Sequence, residues 1–198
     1  AEAGAIFNEA MTSFSMQESN AVASAYDFAG LRCIVDVAGG HGLFLTTVLK
    51  ASPKSSGILF DLPFVIEGAK KAIEAAGLAR RCELARGDFF KAVPEGGDAY
   101  TLKHIIHDWD DDASITILKN CRKAMSKKGK LLVVETVIPA GNEPHLGKLM
   151  DLEMLVMTPG GRERTEAEYR DLYRKAGFKL TRIVPTQSPV CVIEGVPA

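Results

Sequence analysis

The sequence predicts an α/β fold built on an open, mostly parallel sheet, and three observations carry that expectation. From Leu31 onward short apolar runs alternate with helical patterns, as βαβ units require. Each run ends in a polar or charged group. Ile34-Val35-Asp36-Val37 leads into Ala38-Gly39-Gly40-His41-Gly42, Gly57-Ile58-Leu59-Phe60 stops at Asp61, and Cys82-Glu83-Leu84-Ala85 leads to Gly87-Asp88. Tyr100-Thr101-Leu102-Lys103 precedes His107-Asp108, and Leu131-Leu132-Val133-Val134 ends at Glu135. Finally, a glycine-rich loop separates the first run from a helix. Ligands of such sheets bind outside the carboxyl ends of the strands, where strand order reverses, so these ends mark the candidate site.

Along the chain, Ile6, Phe7, Ala10, Met11 and Phe14 recur at helical spacing, and a second helical stretch is expected over residues 19–28. Residues 1–30 are expected as N-terminal helices of the same domain whose α/β part covers 31–198. Helices are expected over residues 42–50, 63–76 and 111–126. Pro63 suits a first turn, and the acidic start and lysine-rich end of the last match the helix dipole. A polar loop over 139–145 precedes a Met- and Leu-rich helix over 146–157, which Thr158-Pro159-Gly160-Gly161 ends. Thr165-x-x-Glu168 reads as a capping box opening a helix that stops at Gly177. Strands over 178–184 and 189–193 should close the domain as an antiparallel hairpin.

Bulk composition narrows the function. At 198 residues one domain is the default, and it is long enough to bury a core. A net charge of −1 gives no reason to expect a nucleic-acid partner, and Lys127-Lys128-Gly129-Lys130 reads as a solvated helix end. No apolar run approaches the roughly 20 residues that span a bilayer. The 4 cysteines are scattered and fit no metal or redox spacing, which suits a disulfide-free cytoplasmic protein.

The glycine loop and its acidic neighbours point to an adenosine-bearing cofactor. Glycines at Gly39 and Gly40 let backbone approach a ligand at a helix N-terminus, and Asp61 stands where a carboxylate takes ribose hydroxyls. These features alone do not separate a dinucleotide from another adenosine cofactor. Read as G-x-G-x-x-G from Gly40, the third glycine position is Leu45, and no Tyr-x-x-x-Lys pair is present. Asp36 would repel a pyrophosphate but attract the ammonium of a methionine-type cofactor. Asp88 with Phe89 offers an acceptor and a ring edge for adenine.

The chain resembles, nearly end to end, the catalytic domain of small-molecule O-methyltransferases that use S-adenosylmethionine, the family of plant caffeate and flavonoid and animal acetylserotonin enzymes. The resemblance is carried by Phe7-Asn8-x-x-Met11, Val35-Asp36-Val37-x-Gly39-Gly40-x-Gly42, Phe60-Asp61-Leu62-Pro63, Gly87-Asp88-Phe89-Phe90, Lys103-x-x-x-His107-Asp108-Trp109, Glu135 and Gly160-Gly161-x-Glu163-Arg164-Thr165. The ending Pro185-Thr186-Gln187-Ser188-Pro189-Val190 is closer to bacterial members. Ala38 departs from the family's glycine; its methyl is tolerable if the backbone there keeps a negative φ.

The resemblance implies a Rossmann-like class I methyltransferase fold: a seven-stranded sheet of order 3-2-1-4-5-7-6, the last strand antiparallel, with helices on both faces. It implies S-adenosylmethionine held by Ser15, Asp36, Gly39, Gly40, Asp61, Leu62, Asp88, Phe89 and Lys103. His107 is the implied general base, and an imidazole near its ordinary pKa suits a phenol proton. Glu135 and Glu163 stand beside it, and Asp108 orients the acceptor hydroxyl or the histidine loop. Met11, Trp109, Met154, Met157 and Thr158 would line a slot for a small, hydroxylated aromatic acceptor. His104 raises a metal alternative, but His-x-x-His without a further ligand nearby is a poor zinc site, and the resemblance implies no metal. Family members carry a preceding dimerisation domain, so a homodimer is expected for the whole protein. This chain, lacking that domain, should expose apolar surface along residues 1–28 and the Met helix. The competing readings are a cofactor-binding protein without turnover and a nicotinamide oxidoreductase, the latter opposed by the glycine spacing.

Overall fold

The computed structural model describes residues 2–198, and side chains from Phe14 onward. Helix α1 (Glu2–Ala25) is a single helix where two were expected. Nothing in Thr12-Ser13-Phe14-Ser15 breaks it, and the Ser19 hydroxyl donates back to the Ser15 carbonyl at 2.6 Å instead of capping a new start. The Phe7–Met11 motif lies outside the described side chains.

Strands and helices then alternate: β1 (Cys33–Val37), α2 (Leu43–Ala51), β2 (Ser56–Asp61), α3 (Pro63–Ala75), β3 (Cys82–Arg86) and β4 (Ala99–Lys103). A 3-10 turn (Ile106–Asp108) follows, then α4 (Asp111–Ala124), β5 (Lys130–Glu135), β6 (Val137–Ile138), α5 (Leu146–Met157), β7 (Arg164–Thr165), α6 (Glu166–Lys175), β8 (Phe178–Pro185) and β9 (Cys191–Pro197). Helix ends fall within a residue or two of expectation. Asp110 caps α4 by accepting from the Ala113 N–H at 2.8 Å, and Thr165 with Glu168 forms the expected capping box.

The seven-stranded sheet has the order β3-β2-β1-β4-β5-β9-β8, parallel except for β9, which runs antiparallel to both β5 and β8. Counted within that sheet, β8 and β9 are the sixth and seventh strands, as expected. Alternate side chains of each strand enter opposite cores. Val35, Val37, Leu131 and Val133 pack against α4 and α6, while Ile34, Leu132 and Val134 pack against α1, α2 and α3. Neither core anticipates the β6–β7 ribbon. It pairs Val137 with Arg164 and Ile138 with Thr165, drawing residues 163–165 to the end of β5.

Among the described side chains, large apolar groups are exposed on parts of α1 and α5, and also at Leu62 and Phe64 at the start of α3. Phe14 and Met16 of α1 are exposed, as are Leu149, Leu152, Leu155 and Val156 of α5. No helix among the described residues is long and apolar enough to cross a membrane.

Candidate active site

The reversal of strand order between β1 and β4 opens the crevice that the sequence pointed to. Asp36 ends up almost wholly buried at 1% exposure. One carboxylate oxygen accepts from the Thr101 hydroxyl at 2.7 Å, across the β1–β4 pair, and the other has no partner. Burial pushes its pKa up to about 7, and the Thr101 hydrogen bond only partly offsets this. A side chain at Gly39 would run into that carboxylate and into Leu59, so glycine is required by close approach. The neighbouring Ala38 has φ 56°, the left-handed region rather than the negative φ on which its tolerance rested. The loop therefore keeps its glycine-like conformation at the cost of local strain.

Asp61 is oriented by two backbone donors, Gly40 N–H at 2.8 Å and its neighbour Leu62 N–H at 2.7 Å. Asp88 accepts from the Phe90 N–H at 2.9 Å. Asp61, Leu62, Asp88, Phe89 and Trp109 line one cavity of about 290 Å³. Trp109, expected at the acceptor slot, meets Phe90 edge-on at 4.8 Å, beside Phe89. The methionines of α5 do not share one environment: Met154 is buried, Met157 is exposed and Met150 is half-buried. Thr158 accepts from Gly161 N–H at 2.7 Å and donates to the Met154 carbonyl. Met11 lies outside the described side chains.

His107 sits on the 3-10 turn after β4, only 6% exposed. Its Nδ1 lies 3.0 Å from Glu163 Oε1 and 3.4 Å from Glu135 Oε2. A carboxylate only accepts, so Nδ1 carries the proton and Nε2 is left as the basic nitrogen. Asp108 Oδ1 is 3.6 Å from Nε2, beyond hydrogen-bonding distance. Burial disfavours the imidazolium, yet Glu135 and Glu163 outweigh it and raise the His107 pKa. The two glutamates are separated by their surroundings. Glu135 Oε1 accepts the backbone N–H groups of Ile105, Ile106 and His107 at 2.9, 2.9 and 3.3 Å. Burial would raise its pKa, but His107, His104 and that backbone donor hold it below the ordinary value. Glu163 moves the other way, raised by burial and by Glu135 beside it.

Lys103 and Ser15, both read toward the cofactor, meet each other at 3.3 Å, and Lys103 Nζ reaches Glu18 Oε2 at 2.7 Å. The same Glu18 oxygen is 2.9 Å from His104 Nε2. One ligand atom from each of His104, His107 and Glu135 lies within 4.8 Å of the others, which gathers two imidazoles around one buried carboxylate. Sequence reasoning gave no role to Glu18, Arg164 or Asp151. The Asp151 carboxylate accepts the Glu163 N–H at 2.9 Å, and Arg164 clamps the histidine loop from beneath. Arg164 alone carried a signal, as part of the Gly160–Thr165 segment.

Comparison with known proteins is consistent across the chain. A family model described as an O-methyltransferase domain matches residues 1–179. Phenazine O-methyltransferase PhzM of Lysobacter antibioticus is 45% identical over 99% of this chain, which spans 57% of that protein. The mitomycin biosynthesis 6-O-methyltransferase of Streptomyces lavendulae is 41% identical over 96% of the chain and is covered to 54%. The crystal structure of NcsB1, an O-methyltransferase from neocarzinostatin biosynthesis, in complex with S-adenosylmethionine and 2-hydroxy-5-methyl naphthoic acid, superposes with a TM-score of 0.87. It is 34% identical over 98% of the chain, which covers 57% of it. This chain thus spans little more than half the length of the relatives it matches, and it belongs to the O-methyltransferase domain family.

Proposed function

We propose that this chain is the catalytic part of an O-methyltransferase that moves the methyl of S-adenosylmethionine to a hydroxyl of a small aromatic acceptor, with His107 as general base. The cofactor reading is supported by residues that fit it. The unpartnered Asp36 oxygen is a buried acceptor suited to an ammonium, and Gly39 keeps the approach to it clear. Asp61, held by backbone donors, suits the ribose diol, and the cavity beside Leu62, Asp88 and Phe89 suits adenine. Ser15 and Lys103 would close the methionine end. When bound, the cofactor supplies an electrophilic methyl for in-line displacement, and no metal is called for.

The observation that carries the mechanism is the commitment of His107 Nδ1 to Glu163, which leaves Nε2 to take the acceptor proton. A phenol with pKa about 10 is mostly protonated at neutral pH, so its oxygen becomes an effective nucleophile only as that proton leaves. Glu163 and Glu135 stabilise the imidazolium that forms, and Asp108 stands beside the oxygen-facing nitrogen. Met154, Met157, Thr158, Trp109 and Met11 remain the proposed acceptor contacts. The exposed apolar side of α5 suits cover by a dimerisation domain in a homodimer, and the 4 free cysteines suit a cytoplasmic setting.

The test is His107→Gln, assayed by labelled methyl transfer to a phenol panel and by calorimetry with S-adenosylhomocysteine. Turnover should fall about 100- to 10,000-fold while the thioether still binds. Undiminished turnover overturns the base assignment. A parent protein that binds the thioether but methylates nothing supports the binding-only reading.

A further inference from the structure

A second imidazole stands beside the proposed base. His104 immediately follows β4, and its φ of 55° lies in the left-handed region, which a non-glycine residue enters at a cost. That conformation sets the ring 5.0 Å from the His107 ring, centroid to centroid, with the planes tilted 32°. A carboxylate faces each of its nitrogens. Glu18 Oε2 of α1 is 2.9 Å from Nε2, and Glu135 Oε2 of β5 is 3.7 Å from Nδ1.

Glu135 Oε2 therefore lies between two imidazoles, 3.4 Å from one Nδ1 and 3.7 Å from the other. His107 faces both Glu135 and Glu163. Without another cation nearby, those buried carboxylates would favour the imidazolium still more, and a protonated imidazole is no base. We propose that His104 is a positioning residue whose positive charge offsets Glu135 and keeps His107 free to accept a proton, with Glu18 as its anchor. This rests on the reading of His107 as base.

The charged and titratable groups around the pair agree with that role. From α1 comes Glu18, from β4 Lys103, from β5 Glu135, from the turn Asp108, from the segment before β7 Glu163, and from α6 the buried Tyr169 hydroxyl. Burial opposes charge on His104, but Glu135 and Glu18 overcome it and raise its pKa to about 9, against the repulsion of Lys103. Its charge in turn works against protonation of His107. The ion pair also ties α1 to the catalytic loop, so the helix is part of the charge balance of the site.

Ring NMR titration of the 4 histidines tests this directly, alongside the pH profile of kcat/KM. His104 should titrate well above the ordinary range. His104→Asn removes the cation but suits a left-handed backbone, and it should raise the His107 midpoint by about one to two pH units. The acid limb of kcat/KM should move upward with it. Glu18→Gln provides a second route to the same charge: the His104 midpoint should fall by about a unit or more. A His104 that titrates near its ordinary value, or a His107 midpoint unmoved or lowered in His104→Asn, overturns the proposal. Turnover that survives His107→Gln overturns the base reading itself, so the two failures are distinct.

Discussion

Replacing Arg164 by methionine should destabilise the protein by about 3 kcal/mol, and the figure follows from two backbone carbonyls. Arg164 has 0% exposure. Its guanidinium donates to the Ile106 carbonyl at 3.0 Å and the Trp109 carbonyl at 2.8 Å, the two ends of the turn carrying His107. Methionine keeps the apolar stem and removes the head. The Ile106 carbonyl keeps the Trp109 N–H at 3.3 Å, so the Trp109 carbonyl is the acceptor left unpaired, at about 1–3 kcal/mol, and the lost charge-assisted bond to Ile106 adds to it. Ser114 Oγ is 3.4 Å from both carbonyls, but one hydroxyl proton serves one of them at a time. Asp111 loses little, because it is 42% exposed and keeps Arg162 at 2.9 Å. For a domain of this size about 3 kcal/mol corresponds to a Tm lowered by about 6–12 °C, measurable by circular dichroism. Arg164→Lys keeps the charge without the fork and should recover only part of the loss. A methionine variant melting within about 2 °C of the parent, with kcat/KM unchanged, would refute the clamp.

Two further outcomes follow from the same region. In Gly161→Ala the new methyl would meet the His107 carbonyl and Thr158 Oγ1, so the loop must shift. Steady-state kinetics should show kcat/KM reduced about tenfold or more, with thioether affinity nearly unchanged by calorimetry. The His104 pKa, raised from 6.5 to about 9 on folding, makes stability depend on pH. Its contribution is fully present below pH 6.5 and is lost as pH rises through about 9. Urea denaturation at pH 6 and pH 9.5 should show the gap between parent and His104→Asn closing by at most about 3 kcal/mol.

The sheet was legible because its evidence is local. Each of the five parallel strands is an apolar run ended by a polar residue, and α3, α4 and α6 carry start signals of their own. The β6–β7 ribbon was not, since strands of two residues have no periodicity to read. At Ala38 the residue type pointed to negative φ, but the glycine-loop geometry held and placed alanine at 56°. His104 was readable only as half of a His-x-x-His pair. Its partner Glu18 lies 86 residues away, and the backbone conformation that turns the ring toward Glu135 leaves no trace in composition. Trp109 shows the same limit from the other side. Its position in the chain said that it follows His107-Asp108, but its packing against Phe89 and Phe90 decides which cavity it lines.

Adjacent residues 163 and 164 show how the fold holds His107 without touching Nε2. Side chains alternate along an extended segment, so one strip of chain addresses opposite sides of the histidine loop. Glu163 binds the His107 ring, and Arg164 binds the carbonyls at the ends of its turn. The segment is itself fixed by pairing with β6, by Asp151 beneath the Glu163 N–H and by the Arg162 N–H donating to the His107 carbonyl. Orientation of the imidazole and placement of its backbone are therefore coupled through one short strand. A perturbation of β6 or β7 should change both together, whereas a change at His104 should alter the charge of the His107 ring and leave its position intact.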